Sequence, residues 1–264
     1  MSGFDKEWLA LREPADRAAR DRSLITDLSN HISQKHLSTI IDIGCGTGST
    51  WRALAPHLPS EMDWLLLDYD AELLATAKEQ IGSSKSVSFH QFDLGDLDQL
   101  PMKESTIITA SAFFDLASPA FCEKLTDMLK RKRCGLYAAL NYVGTTHWSH
   151  SHPLDSEIIA LFNRHQRTDK GFGDALGPEA SVYLAELLRE NNYLVKTKPS
   201  PWHISAQHKD LQRAFLQGFP EPIRQMGTLE AGSVKDWLSY RLDAIEKAGS
   251  LCTVGHTDLI ALPI

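Results

Sequence analysis

The run IIDIGCGTGST, residues 40–50, constrains this chain more than any other segment. Ile40, Ile41 and Ile43 make a short apolar strand, and Gly44, Gly46 and Gly48 follow as a turn whose backbone a ligand can approach closely. A helix is expected to open near Ser49 or Thr50. A dinucleotide-binding turn is spaced G-x-G-x-x-G, which would put glycine at position 49, where this chain has Ser49. Here the spacing is G-x-G-x-G, with Asp42 two residues before the first glycine. A carboxylate at the strand end repels a pyrophosphate and attracts an ammonium group. The loop therefore suits a zwitterionic or cationic ligand better than a dinucleotide.

The texture around the loop sets the fold class. From Leu37 onward short apolar runs alternate with amphipathic stretches: STIIDIG then WRALAPHL, DWLLLD then AELLATAKEQI, SVSFHQF, STIITASAF then PAFCEKLTDMLKRK, and CGLYAALNY. Such alternation predicts an α/β fold, a doubly wound and mostly parallel sheet with helices on both faces. The first 36 residues read as helix, with Pro14 opening a second one. Residues 71–81 read as a helix capped by Asp70. After Tyr142 the rhythm breaks. A polar, His-rich insert over 145–177 holds one helix near 155–165. Helix 179–192 and strand 193–204 restore the pattern, and 206–250 form a second helical insert before a closing strand, LCTVGHTDLIALPI. The expected organisation is an N-terminal helical segment, 1–36, and one domain over 37–264.

Charge and composition narrow the partners. The 27 Lys and Arg against 34 Asp and Glu leave a net charge of −7, which argues against a protein held on nucleic-acid phosphates. No apolar run approaches the ~18 residues a membrane helix needs. The opening MSGFDKEWLALREP has no basic-then-apolar signal pattern, so a cytoplasmic protein without a membrane partner is expected. Cys45, Cys122, Cys134 and Cys252 are scattered with no CxxC pair, which predicts reduced thiols and no cysteine zinc site. His147, His150 and His152 lack a nearby acidic or cysteine partner in the sequence, so no metal is expected there either.

Two further acids fall at strand ends. Asp68 closes DWLLLD roughly 20 residues past the glycine turn, the distance at which a carboxylate accepts hydrogen bonds from ribose hydroxyls. Asp93 closes SFHQFDL, placed with the Leu94 backbone to meet an adenine edge.

Taken in order, DIGCGTG, LLLDYD, QFDL and TASAFFDL resemble the motifs of class I, Rossmann-like S-adenosylmethionine (SAM)-dependent methyltransferases, over roughly residues 37–142 plus the closing elements. The resemblance implies a seven-stranded sheet, six strands parallel and the last antiparallel, and SAM as cofactor. Carried over residue by residue, Asp42 and the backbone of Gly44, Cys45, Gly46 and Gly48 hold the methionyl part. Asp68 holds the ribose, Tyr69 packs on adenine, and Asp93 with Leu94 binds the adenine edge. Ser111 and Ala112 line the methyl-donor side. The opening WLALREPADRAAR resembles a segment preceding this domain in bacterial relatives, from which Arg12 or Arg20 would meet the SAM carboxylate.

The acceptor has no comparable signature. Neither N-P-P-Y nor D-P-P-Y follows the fourth strand, and no Pro-Cys dipeptide occurs. With the acidic charge, these absences weigh against a nucleic-acid acceptor. The basic run from Lys130 to Arg133 reads as a helix end whose cations offset the dipole. The expected reaction is methyl transfer to O or N of a small molecule. Asp115, Asn141 and Tyr142 at the strand ends, and Arg167 and Lys170 in the first insert, are candidates for binding that acceptor. His147, His165 and Tyr142 are candidates for the general base. His203 and His256 read as strand residues with satisfied bonds. Two other readings stand: a non-catalytic SAM- or nucleotide-binding module, and a nicotinamide-dependent oxidoreductase, which Ser49 and Asp42 disfavour.

Overall fold

The structure, a computed structural model, describes residues 5–264. Two helices, α1 (Lys6–Ala19) and α2 (Arg22–Lys35), precede the sheet. The break between them is not at Pro14, which lies on the exposed face inside α1. It falls at Arg20 and Asp21, both extended. There the Asp21 N–H donates to the buried Asp258 carboxylate at 2.9 Å, and the Asp21 side chain caps α2 by accepting from the Leu24 N–H.

The alternating region then follows as β1 (Thr39–Ile43), α3 (Ser49–Leu54), β2 (Asp63–Asp68), α4 (Ala71–Ile81), β3 (Val87–Gln91), β4 (Ile107–Ser111), α5 (Pro119–Lys132) and β5 (Gly135–Trp148). The remainder is α6 (Asp155–Gln166), α7 (Ala180–Glu190), β6 (Tyr193–Pro199), β7 (Trp202–Ser205), α8 (Lys209–Gln217), α9 (Pro220–Met226), α10 (Ala231–Ile245) and β8 (Leu251–Pro263). The strands order as β3-β2-β1-β4-β5-β8-β6, with β7 also paired to β8. Strands β1 to β5 are mutually parallel, and β8 runs antiparallel to β5, β6 and β7.

The sheet has eight strands rather than seven, because the segment expected as one strand over 193–204 splits in two. Pro199 and Pro201 cannot donate to a ladder, and the chain changes course between them. As a result β6 pairs with the second half of β8, from Tyr193 opposite Pro263 to Pro199 opposite Thr257. Strand β7 pairs with the first half, from Trp202 opposite Val254 to Ser205 opposite Leu251. Strand β5 is also longer than expected. Its register with β8 shifts twice and then resumes at Thr146, His147 and Trp148, so the first insert leaves the sheet after Trp148 rather than at 145. Because β4 ends opposite Ala139, the second half of β5 stands beyond the carboxyl edge of the sheet, with β8 and β7 beside it.

Both faces of the sheet are covered. Phe121, Leu125 and Leu129 of α5 and Leu184 and Leu188 of α7 pack on Ile41, Ile43, Ile108 and Leu136. Leu24, Leu28 and Ile32 of α2 pack with Ile40, Leu66, Ile107 and Tyr137 on the other face. The two inserts share a third core, in which Ile158 and Leu161 of α6 meet Leu216, Phe219, Ile223 and Trp237. Arg241 ties them further, paired with Asp155, stacked 4.4 Å from the Trp148 ring, and donating to the His150 carbonyl at 2.6 Å. All four cysteines are free and buried. No helix among the described residues is long and apolar enough to cross a membrane.

Candidate functional site

The glycine turn sits where β1 leaves the sheet. Gly44 (φ 61°) and Gly48 (φ 83°) take left-handed backbone that a side chain resists. Space matters too: a Cβ at Gly48 would lie 2.9 Å from the Ile81 side chain, and one at Gly44 3.1 Å from Phe113. The turn is fastened to the end of β2. Cys45 N–H donates to the Leu67 carbonyl at 2.9 Å, and Gly46 N–H to Asp68 Oδ2 at 2.7 Å. Asp68 Oδ1 accepts from the Asp70 N–H at 3.0 Å.

A cavity of about 380 Å³ opens at the carboxyl ends of β1 to β4. It brings together Gly44, Cys45, Gly46, Asp68, Tyr69, Asp93, Leu94 and Ser111, and α1 closes it with Leu9, Arg12 and Asp16. Tyr69 is 55% exposed, an aromatic face held at the rim. Asp93 caps a short 3-10 helix by accepting from the Gly95 N–H at 2.8 Å. Asp42, Gly48 and Arg20 do not line the cavity. Asp42 is wholly buried behind the turn, where Oδ1 accepts from Thr109 Oγ1 at 2.7 Å and Oδ2 has no partner. Burial pushes its carboxyl up to about 7, against the pull of Thr109 and the Arg20 charge, with Asp68 adding to the rise. Burial likewise raises Asp68. Arg20 lies behind Ser111, donating to its Oγ at 2.7 Å, while Nε and Nη1 have no partner.

A second cavity, about 560 Å³, adjoins the first, and Arg12, Ala112 and Leu116 line both. Its walls include Trp8, Tyr142, Phe162, Trp202 and Phe215, with Asp115 and His256 among the polar residues. Tyr142 donates to Asn163 Oδ1 at 3.0 Å. Ala112 (φ 50°) beside both cavities and Leu140 (φ 56°) in the second take left-handed backbone although neither is glycine, the kind of local cost that persists at functional sites. Asp115 Oδ1 has no partner, and burial pushes that carboxyl up to about 6. His256 departs from the satisfied strand residue expected: its Nδ1 has no partner. Burial, then the Arg12 charge, holds its imidazole down to about 3, so it is neutral at physiological pH.

Five of the acceptor and base candidates line neither cavity. The Asn141 amide donates to the Ala138 and Thr257 carbonyls at 3.2 and 3.1 Å, holding the irregular stretch of β5. His147 is exposed on the outer part of β5. His165 bonds Gln225 at 2.9 Å, and Lys170 folds back onto the His165 carbonyl and Thr168. Arg167 pairs with Glu179 at 2.7 Å. The bonds of His165, Arg167 and Lys170 hold the first insert in place. Among the described residues no group of three His, Cys, Asp or Glu side chains is placed to hold a metal.

The sheet order, the glycine turn at its switch point and the cavity beside it define a doubly wound, Rossmann-like ligand-binding domain. Residues 40–132 match a family model described as a methyltransferase domain. No curated protein matches the chain. Among solved structures, a cyclopropane-fatty-acyl-phospholipid synthase-like protein from Lactobacillus casei is 12% identical over 98% of this chain and 95% of its own, with a TM-score of 0.52. The cyclopropane synthase MmaA2 from Mycobacterium tuberculosis is 11% identical over 98% and 94%, with a TM-score of 0.52. The mycolic acid cyclopropane synthase CmaA1, solved with S-adenosylhomocysteine, is 15% identical over 97% and 94%, with a TM-score of 0.51. These likenesses are likenesses of fold. Residues 40–132 thus form a methyltransferase domain, seated on the fold these structures share.

Proposed function

We propose that the chain methylates an oxygen or nitrogen of a small-molecule acceptor in the cytoplasm, with SAM in the first cavity. The observation that carries the cofactor placement is the gathering of Gly44, Gly46, Asp68, Tyr69 and Asp93 around one cavity by three successive strand ends. The residues fit the group. Asp68 has lone pairs left beyond its two backbone bonds for the ribose hydroxyls, and Tyr69 offers a face for adenine, whose edge would meet Asp93 and the Leu94 N–H. Asp42, with an unpartnered Oδ2 under the turn, places negative charge behind the position of an ammonium group. Arg12 at the rim is the residue for the carboxylate, with Arg20 set deeper behind Ser111. When bound, SAM supplies a methyl already activated on a sulfonium, so the chain's own tasks are alignment, exclusion of water and acceptance of a proton. The small-molecule reading is supported by an acidic chain and by a second cavity walled on several sides. In this reading residues 1–36 are a helical segment added to a domain over 37–264, with α1 closing both cavities.

Calorimetric titration of S-adenosylhomocysteine into wild type and Asp68→Ala tests the placement. Losing bonds to a charged acceptor is expected to weaken binding about 30-fold, roughly 2 kcal/mol, with the circular dichroism spectrum retained. Unchanged affinity would overturn it.

A further inference from the structure

We propose that the second cavity takes a planar aromatic or heteroaromatic acceptor carrying an O–H or N–H group, and that Asp115 receives this group's hydrogen bond and then its proton. The inference rests on the cofactor placement above and deepens it.

Position comes first. Ala112 and Leu116, shared by both cavities, follow directly on β4, whose end at Ser111 lines the first, so a molecule in the second meets the first at that seam. The walls then select shape. Aromatic rings approach from α1 (Trp8), β5 (Tyr142), α6 (Phe162), β7 (Trp202) and α8 (Phe215). Neighbouring rings meet edge to face, as Tyr142 and Phe162 do at 6.0 Å and Trp202 and Phe215 at 6.3 Å. A flat ring matches such walls better than a flexible chain does.

Polarity selects the handle. Asp115, 9% exposed, carries an unpartnered Oδ1, and His256 an unpartnered Nδ1 on a ring held neutral. The Asp115 oxygen accepts, and the neutral His256 ring can donate or accept at Nδ1 according to its tautomer, so the ligand must bring a donor to Asp115. The one cation among the described lining residues, Arg12, is already engaged by both oxygens of Asp16, at 2.8 and 3.3 Å, and lies 5.2 Å from the Trp202 ring centre. An anionic acceptor would find that charge already shared between Asp16 and, in the reading above, the SAM carboxylate, and the Asp115 carboxylate opposed to it. A neutral O–H or N–H on a ring fits all three groups.

The step balances. The acceptor heteroatom uses a lone pair to form the new bond to the methyl carbon. The carbon–sulfur bond breaks with its electron pair staying on sulfur, which becomes a neutral thioether, and the acceptor's proton passes to the Asp115 carboxylate and on to solvent. Proton acceptance needs Asp115 ionised, which places its limb of the pH profile near 6.

The test uses the full chain saturated with S-adenosylhomocysteine, and ligand-observed NMR with phenol, catechol, indole and 8-hydroxyquinoline beside their saturated counterparts. At least one aromatic probe is expected to bind about tenfold more tightly than its counterpart. Phe162→Leu and Asp115→Asn should each weaken that probe fivefold or more while S-adenosylhomocysteine affinity stays within twofold, which also certifies the fold. Where the probe is methylated with SAM, kcat/KM should rise through about pH 6 in wild type and lose that limb in Asp115→Asn. The proposal is overturned if no aromatic probe outbinds its counterpart. It is overturned equally if binding survives both substitutions, or if rising S-adenosylhomocysteine displaces the probe. Failure of S-adenosylhomocysteine to bind wild type would instead overturn the cofactor placement.

Discussion

The two cavities share a wall and differ in how the chain builds them. Apart from α1 and Phe172, the first is made from strand ends and turns between Gly44 and Leu116, in chain order, each in a repeating βα unit. The second draws on Asp5 and Trp8 at one end of the chain and Val254 and His256 at the other, with α6, β7 and α8 between. One is local architecture repeated; the other is a meeting of distant segments. A binding site of the first kind has a sequence signature because its spacing is dictated by the fold, while the second is assembled by tertiary packing alone.

That difference can be broken most forcefully at Gly48. Gly48→Val forces a branched side chain into φ 83° and against Ile81 at 2.9 Å, so it should cost about 2–3 kcal/mol of stability, read by urea unfolding. Binding of S-adenosylhomocysteine should fall with it, whereas an aromatic ligand of the second cavity should keep its affinity in the folded fraction. Equal loss at both cavities would show them to be one unit.

Asp42 sharpens the comparison by opposing function to stability. Its folded pKa is raised to about 7 from an ordinary value of 3.8, so the folded state binds the proton more tightly. The stabilisation from that proton is therefore fully present below about pH 4 and lost as pH rises to about 7. Asp42→Asn should remove the loss. The ligand-free melting temperature should rise by several degrees at pH 8, change little at pH 4, and be accompanied by weaker SAM binding. A lower midpoint at pH 8 would count against a buried, unanswered charge there.

The smallest effect is expected where α1 is fastened over the first cavity. Arg52 donates to both oxygens of Glu13 at 2.7 and 2.6 Å. Burial alone would raise the Glu13 carboxyl, but the bonds and charges of Arg52 and Arg17 together carry it below its ordinary value. Its stabilisation is present above the unfolded pKa, near 4.5, and fades as pH falls through the lower folded value. Because the pair is only partly buried, Glu13→Gln should cost about 1 kcal/mol at pH 7 and less at pH 3, measured by thermal unfolding.

The alternation that announced a parallel sheet was legible because buried strands and amphipathic helices leave different local periods. Helix α4 over Ala71–Ile81 lies where its Asp70 cap placed it. What escaped was set by distance or by single atoms. Pro14 looks like a helix start, yet the break is fixed by Asp258, far along the chain. The outer half of β5 exists because a 13-residue β8 reaches past the sheet to pair with it. Asn141, Arg167 and Lys170 have the chemistry of ligand-binding residues, but nearby carbonyls and carboxylates claim them first. His256 looked ordinary because an unpartnered Nδ1 cannot be read from a letter code.

Asp258 also imposes an order in time. Its carboxylate holds the Asp21 N–H at 2.9 Å and the Leu140 N–H at 2.8 Å, while β8 lies between β5 and β6 although it is made last. On a ribosome the glycine turn and the four strands that frame the first cavity emerge well before residue 258. During that interval the corner between α1 and α2 lacks its Asp258 bond, and the outer half of β5 has no partner strand. The strand ends around the first cavity thus stand in place before the second cavity has all its walls.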